Sequence, residues 1–368
     1  MMTAAQTITP QQMFAPRGRP RQAGTLQRTR LAIVRALLAL TCLWLPALAL
    51  LGAKPAFAID AAIQVQQMSG GINVLSDDPL WTSPAAAQFK ERHFAVIKQG
   101  GFKTLRVNLR AFSHLNAAHE IDPQWLKTLD WVVAQASAQR LIVVLDAQDD
   151  DGCGQDPIRC RIELTAFWQQ IAHHFRDAPD SVLFELLNEP QGQLSPVLWN
   201  AYANKLLGLI RQENPTRNVI IGPAFANSLH HLQELNLPAN DRHIIVTIHY
   251  DEPLAFTHQG AAGADGAVLP GGVTWGSESD RQTLAANFET AQKWSKANQR
   301  PIFLGAFSVS DKADPKSRTA YLTAIARAAE ARSWSWAYWQ FAGDTGAYDL
   351  QTDHWVKPIL DALHPPLE

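Results

Sequence analysis

Short apolar runs recur along the chain at residues 71–74, 104–108, 141–146, 182–187, 219–221, 244–249, 302–305 and 334–339. Between them, apolar positions fall at helical spacing over 85–99, 123–138, 162–175, 196–213, a shorter 228–235, 279–298 and 315–331, with 355–363 closing the chain. Runs that are apolar throughout, without strict alternation, are strands buried on both faces, as in a parallel sheet covered by helices. Eight strand-helix units predict an α/β protein with a closed (β/α)₈ barrel. An open doubly wound sheet would carry a Gly-rich phosphate turn after an early strand, whereas Gly70-Gly71 stands before the first run. With no Pro/Ser/Gly linker and no short-period repeat dividing it, residues 59–368 read as one domain.

The run from Val182 stops in Leu187-Asn188-Glu189-Pro190. A proline ends a buried strand, so Asn188 and Glu189 belong at the strand's C-terminal tip, the end at which barrels carry chemistry. The other tips supply Arg106 and Asn108, Asp146 and Gln148, His249 and Tyr250, and Trp339. An aromatic face, amides and an imidazole for hydroxyls, an Arg to orient carboxylates and one acid form an inventory suited to carbohydrate. Asp146 reads as barrel support, and Arg106 has the alternative of pairing with a core acid. Trp334, Trp336 and Trp339 cannot all face one way, and Trp339 is assigned to the pocket.

The segment before residue 59 changes the charge picture. It holds seven of the 32 Lys and Arg residues and no acid, then an apolar stretch over 36–52, then Ala56-Phe57-Ala58, which fits an A-x-A cleavage site. Residues 1–58 are therefore expected to be an export signal with a long basic leader. A retained anchor is the alternative, but Pro46 interrupts an apolar run at the lower edge of spanning length. Beyond residue 58 the chain has 25 basic against 34 acidic residues, a net charge of −9. An acidic exported domain is poorly suited to nucleic acid or anionic membranes. Cys42 leaves with the signal, and Cys153 and Cys160 are expected to form one local disulfide in an oxidising compartment, periplasmic or secreted.

The motifs Gly101-Phe102-Lys103-Thr104-Leu105-Arg106, Phe184-Glu185-Leu186-Leu187-Asn188-Glu189-Pro190, His249-Tyr250-Asp251-Glu252-Pro253 with Phe256-Thr257-His258-Gln259-Gly260-Ala261, and Trp336-Ala337-Tyr338-Trp339 together resemble glycoside hydrolase family 5. The likeness runs in order over about residues 70–363. It implies cellulase-type cleavage of β-linked glucan or mannan by double displacement. Glu189 matches the family's acid/base, and Arg106, Asn188, His249, Tyr250 and Trp339 match its glycone-site residues. The implied partner is a β-linked oligo- or polysaccharide. No cofactor, metal, nucleic acid or membrane partner is expected, and the chain is expected to be a monomer.

Three positions depart from that pattern. The seventh run reads Pro301-Ile302-Phe303-Leu304-Gly305-Ala306-Phe307-Ser308, placing Ala306 where the family has its nucleophilic glutamate and Ser308 where it has glycine. Gln148 stands where the family has histidine. A retaining mechanism needs a second carboxylate, and a methyl group cannot supply it. An engineered knockout would change Ala306 alone, so Gln148 and Ser308 favour natural drift toward a glycan-binding pseudo-glycosidase. Two other readings stay open: an active β-glycosidase using another carboxylate, with Asp149, Asp150 and Asp151 as candidates for an inverting route, and a structural or interaction protein without a sugar site. Protein recovered from periplasm or medium is expected to begin at or near Ile59 with both remaining cysteines bridged. Intact mass with and without reduction checks this, and two thiols open to alkylation before reduction would refute the bridge.

Overall fold

The computed structural model describes residues 58–76, 78–149, 152–261 and 268–365. The export-signal and Cys42 expectations lie outside these residues, as do Asp150 and Asp151. Eight parallel strands, β1 (Gly70–Val74), β2 (Thr104–Arg110), β3 (Ile142–Gln148), β4 (Val182–Glu185), β5 (Val219–Ile221), β6 (Ile244–His249), β7 (Ile302–Ala306) and β8 (Ser335–Tyr338), pair in sequence order, and β1 pairs with β8 to close the barrel. The (β/α)₈ expectation therefore stands. Among the described residues no helix is long and apolar enough to cross a membrane.

The crossover helices begin where local chemistry starts them. Pro123–Ala138, Pro157–His174, Pro196–Glu213 and Pro315–Glu330 each open on a proline preceded by Asp122, Asp156, Ser195 or Asp314, whose side chain accepts a first-turn N–H. Proline at the first position lacks only an N–H that would have had no partner, and the capping oxygen satisfies one that remains. This explains why the helix expected from residue 162 begins five residues earlier, at Pro157. Two expected helices come out differently: 85–99 divides into a short turn, Pro84–Ala86, and a helix, Glu91–Gln99, and 228–235 is a 3₁₀ segment, Leu229–Glu234.

An unforeseen helix, α1 (Ala61–Met68), is seated at the barrel's N-terminal mouth. Ala61, Val65 and Met68 recur at helical spacing and pack on Val144, Leu183, Ile220, Ile245, Phe303 and Ala337, the inward residues of six strands. The Asp60 carboxylate caps its start, and at its end the Met68 carbonyl accepts from Thr104 Oγ1 at 2.8 Å. The inward strand residues that meet the helix at this end are thus apolar, and the outward strand residues form a second, larger core with the helices.

Cys153 and Cys160 are bridged, joining the turn Gly152–Gln155 to the helix that follows. Met68 has no exposed surface, so Met68→Ala leaves a cavity at the plug and is expected to cost about 2–4 kcal/mol. A lower urea midpoint at unchanged slope checks this, and an unchanged midpoint would show that the plug contributes nothing to stability.

Candidate active site

Two residues further along several strands, the inward positions turn polar or lose their side chain: Val144 is followed by Asp146, Leu183 by Glu185, Ile245 by Thr247 and Phe303 by Gly305. Arg106, fully buried, occupies the centre of this layer. Its Nε and Nη2 donate to the two Glu185 oxygens at 2.7 and 2.8 Å, Nη1 donates to Asn73 Oδ1 at 2.9 Å, and Nη2 also reaches Asp146 Oδ2 at 3.1 Å and Asn188 Oδ1 at 3.0 Å. Burial works against the guanidinium charge, but Asp146 and Glu185 outweigh it and hold the Arg106 pKa above its ordinary value. Burial, with the charge of Glu185, pushes Asp146 well above the carboxylate range despite the pull of Arg106. Glu185 meets the guanidinium bidentately, and Asp146 lies beside it at 3.1 Å.

The consequence for the site lies in Asn188. Its carbonyl oxygen is occupied by Arg106, so the amide N–H groups are left to face the cavity. The regular part of β4 ends at Glu185, earlier than expected, although Asn188 still donates from its backbone to Ala147 O at 2.8 Å. Glu189 follows with φ 48°, a left-handed conformation costly for a residue with a β-carbon, and it turns the carboxylate across the mouth of the barrel toward β6.

There Glu189 Oε1 accepts from His249 Nδ1 at 2.7 Å, while Asn227 Nδ2 lies 3.3 Å from His249 Nε2. The imidazole thus bridges Asn227 and Glu189, with Nδ1 toward the carboxylate. The histidine fits because its neighbour on β7 is glycine: a β-carbon on Gly305 would lie 2.4 Å from Thr247 Oγ1 and 3.1 Å from His249 Nε2. Burial would raise the Glu189 pKa, but the hydrogen bond and charge of His249, with Arg106 behind, outweigh it and hold the carboxyl below its ordinary value. A carboxyl held below its ordinary value is ionised at neutral pH.

Gln148, Asn188, Glu189, His249, Ala306 and Trp339 line one cavity of about 210 Å³, together with Asp251, His258 and Ser308. Of the residues expected to contact substrate, Arg106 and Tyr250 are not in that lining. Arg106 lies beneath it, holding Glu185 as well as Asn188, so it pairs with a core acid and orients the site at once. Tyr250 is buried against Phe288, and its hydroxyl accepts from Asn287 Nδ2 at 3.2 Å, because the residue after an inward-facing His249 points outward. Asn108 and Asp146 bond to each other at 2.9 Å below the cavity. Trp334 and Trp336 pack on Phe288 and Phe102 outside the barrel, leaving Trp339 alone of the three in the pocket.

An adjoining cavity of about 250 Å³ shares Gln148, Asn188 and Glu189 and is walled by Asp149, Cys153, Gly154 and Gln191. Asp149 accepts the Cys153 backbone N–H, capping the turn that the disulfide ties down. Gln193 donates to Gly154 O at 2.8 Å, so the bridged turn also steadies the segment that follows Glu189. A roomier apolar groove of about 320 Å³, beside Leu80 and Trp131, contains none of the expected site residues.

Sequence reasoning missed Glu185, Asp251 and His258. Glu185 had a signal, a lone charge inside a buried run and in step with the inward Leu183. Asp251 stands two residues past His249 and in step with it, a signal like that of Glu185, whereas His258 lies farther along the loop, beyond the reach of strand periodicity.

The model of the family "Cellulase (glycosyl hydrolase family 5)" matches residues 59–345. Endoglucanase H of Acetivibrio thermocellus is 28% identical over 322 residues, covering 84% of this chain and 34% of its own length. Endoglucanase B of Clostridium cellulovorans is 25% identical over 264 residues, covering 66% of this chain and 59% of its own. The chain thus spans only part of these curated relatives. Among solved structures, a hyperthermophilic endo-β-1,4-glucanase in complex with substrate superposes with TM-score 0.79 at 33% identity, covering 83% of this chain and 99% of that one. Thermotoga maritima Cel5A in complex with mannotriose gives 0.79 at 33%, covering 83% and 100%. Cellulose synthase subunit Z from Clostridioides difficile gives 0.76 at 33%, covering 81% and 99%.

The Glu189–His249 bond has a titration signature. Replacing His249 by Phe removes the largest pull that lowers the Glu189 pKa while burial stays, so Glu189 should titrate higher than in the parent. In the parent, the stability linked to this bond is present above the unfolded glutamate pKa and lost as pH falls through the lower folded one. ¹³C NMR of labelled glutamate side chains reads both, and an unmoved Glu189 resonance would show that the histidine does not set its charge.

Proposed function

The chain belongs to the cellulase family, glycosyl hydrolase family 5, and we propose that it binds β-linked glucan or mannan at the C-terminal mouth of its barrel without hydrolysing it by double displacement. The observation that carries this reading is the pairing of Glu189 with Ala306 in one cavity: the β4 acid is present, and the β7 tip that would face it ends in a methyl group. The relatives' names include endo-β-1,4-glucanases and a mannotriose complex, which makes cello- and manno-oligosaccharides the ligands to test. The Trp339 ring covers an apolar sugar face, Asn188 donates to a ring hydroxyl, and Gln148 accepts from another.

The electrostatics agree with loss of the usual route. A general acid for glycoside cleavage needs its proton near neutral pH, and a neighbouring carboxylate helps to keep it there. With alanine at position 306 that neighbour is missing from β7, and His249 and Arg106 keep Glu189 ionised. The basic leader, apolar stretch and A-x-A site before residue 59 support a periplasmic or secreted location for this activity.

Trp339→Ala should weaken oligosaccharide affinity by about 2 kcal/mol, roughly thirtyfold in dissociation constant, whereas Glu189→Gln should change it little. Calorimetry with cello- and manno-oligosaccharides measures both, and no binding by the parent at millimolar ligand would end the glycan reading. Ala306→Glu should bring back hydrolysis with retention of configuration. Retention by the parent chain itself would show that double displacement survives without residue 306.

A further inference from the structure

We propose that Asp251 is a second catalytic carboxylate of this cavity, and that with Glu189 it hydrolyses a bound β-glycoside in one step, with inversion at the anomeric carbon. The proposal rests on glycan binding in the cavity described above. It requires nothing of position 306, since a single displacement forms no glycosyl-enzyme.

Geometry comes first. Asp251 follows β6 by two residues, on a segment held alongside the β7 tip by Tyr250 N–H donating to Ala306 O at 3.1 Å. Thr257 Oγ1 donates to the Asp251 carbonyl at 2.5 Å, and Ser310 N–H donates to Thr257 O at 2.8 Å, so the backbone at 251 is braced from both sides. Ser308, just past Ala306, lines the same cavity as Asp251. Among the described residues lining the cavity, the carboxylates are Asp251 and Glu189.

Their surroundings drive the two acids apart. Asp251 is enclosed except toward the cavity, and burial followed by the charge of Glu189 lifts its pKa to about 7, with Glu252 adding to the lift and the Ser308 N–H opposing it. Tyr321, beneath the loop, is itself buried and neutral, and burial keeps the cavity's His258 below its ordinary value and so uncharged at neutral pH. Glu189 goes the other way, held ionised by His249 and Arg106. Between the two titrations the pair carries one proton, and it resides on Asp251. A pair split this way is the state single displacement needs, one carboxyl to give a proton and one to take one.

The step balances. Water attacks the anomeric carbon and gives a proton to Glu189, the bond from that carbon to the departing oxygen breaks, and Asp251 protonates the oxygen as it leaves. The products are an alcohol and an inverted hemiacetal, and exchange with solvent returns the proton from Glu189 to Asp251.

The test follows the anomer first released from cellotetraose by ¹H NMR, with the full chain at several pH values and calorimetry in parallel. The α-anomer should appear first from the parent. Its rate should hold from the Glu189 titration up to about pH 7 and fall tenfold per unit above, because a deprotonated Asp251 has nothing to donate. Asp251→Asn should lower kcat by a hundredfold or more while leaving affinity within about threefold. Binding without any hydrolysis, or hydrolysis untouched in Asp251→Asn, overturns this proposal and leaves the glycan-binding reading in place. Release of the β-anomer overturns it together with the loss of double displacement, and a parent that binds no oligosaccharide overturns the binding reading on which it rests. Because anomer and pH profile are read on the parent, the outcome stands even if the variant fails to fold.

Discussion

A guanidinium with no exposed surface sits in the middle of the barrel, and the arrangement of the site depends on how its charge is met. Removing a cation from water costs several kcal/mol unless its donors are all engaged, so Arg106 requires acceptors on every side. Glu185 meets it bidentately from β4, Asn73 from β1 and Asp146 from β3, and the remaining contact is Asn188. The Asn73 amide passes the link on to the carbonyls of Gly305 and Tyr338 at 3.0 and 3.2 Å, so one charge ties β2 to β1, β3, β4, β7 and β8. The barrel divides along its axis as a result: α1 and an apolar layer close the N-terminal end, a satisfied polar layer lies above them, and the layer over that is free for a ligand.

The upper layer inherits its orientation from the one beneath. Arg106 turns the Asn188 amide, and the absence of a side chain at Gly305 leaves room for His249 to stand beside Thr247. Gly222 does the same for Asn227, since a β-carbon there would lie 2.0 Å from Asn227 Oδ1, and Asn227 holds the far nitrogen of His249. Glu189 at the end of this chain of contacts is held both in place and in charge. The methyl group of Ala306 brings no charge into the same cavity, and Asp251 is the carboxyl of that lining whose pKa the charge of Glu189 helps to raise.

Much of this was legible in the residues. Unbroken apolar runs alternating with helical spacing determined the barrel, because strands buried on both faces leave no other periodicity, and the helical spacing placed the starts at 123, 196 and 315 but put the Pro157 helix five residues late. The polar ends of the runs determined Asn188, Glu189, His249, Gln148 and Trp339 as neighbours, since parallel strands bring their C-terminal tips to one mouth. The close spacing of Cys153 and Cys160 pointed to their bridge.

What only the tertiary structure decided are matters of depth and of contact between distant segments. Whether Arg106 touches ligand or lies beneath it depends on how far down the barrel Glu185 and Asp146 sit, and one run of sequence does not record that. Tyr250 falls outside the cavity because the chain kept alternating past His249, although a tip residue could as well have turned inward. α1 is a plug only because six strands present a dry ring to its apolar face, and an eight-residue helix has no such meaning on its own. Asp251 lines the cavity two residues past His249, but its proton affinity comes from burial and from Glu189, 62 positions earlier in the chain. Charge states of this kind are properties of distance and solvent exclusion, which exist only once the chain has folded.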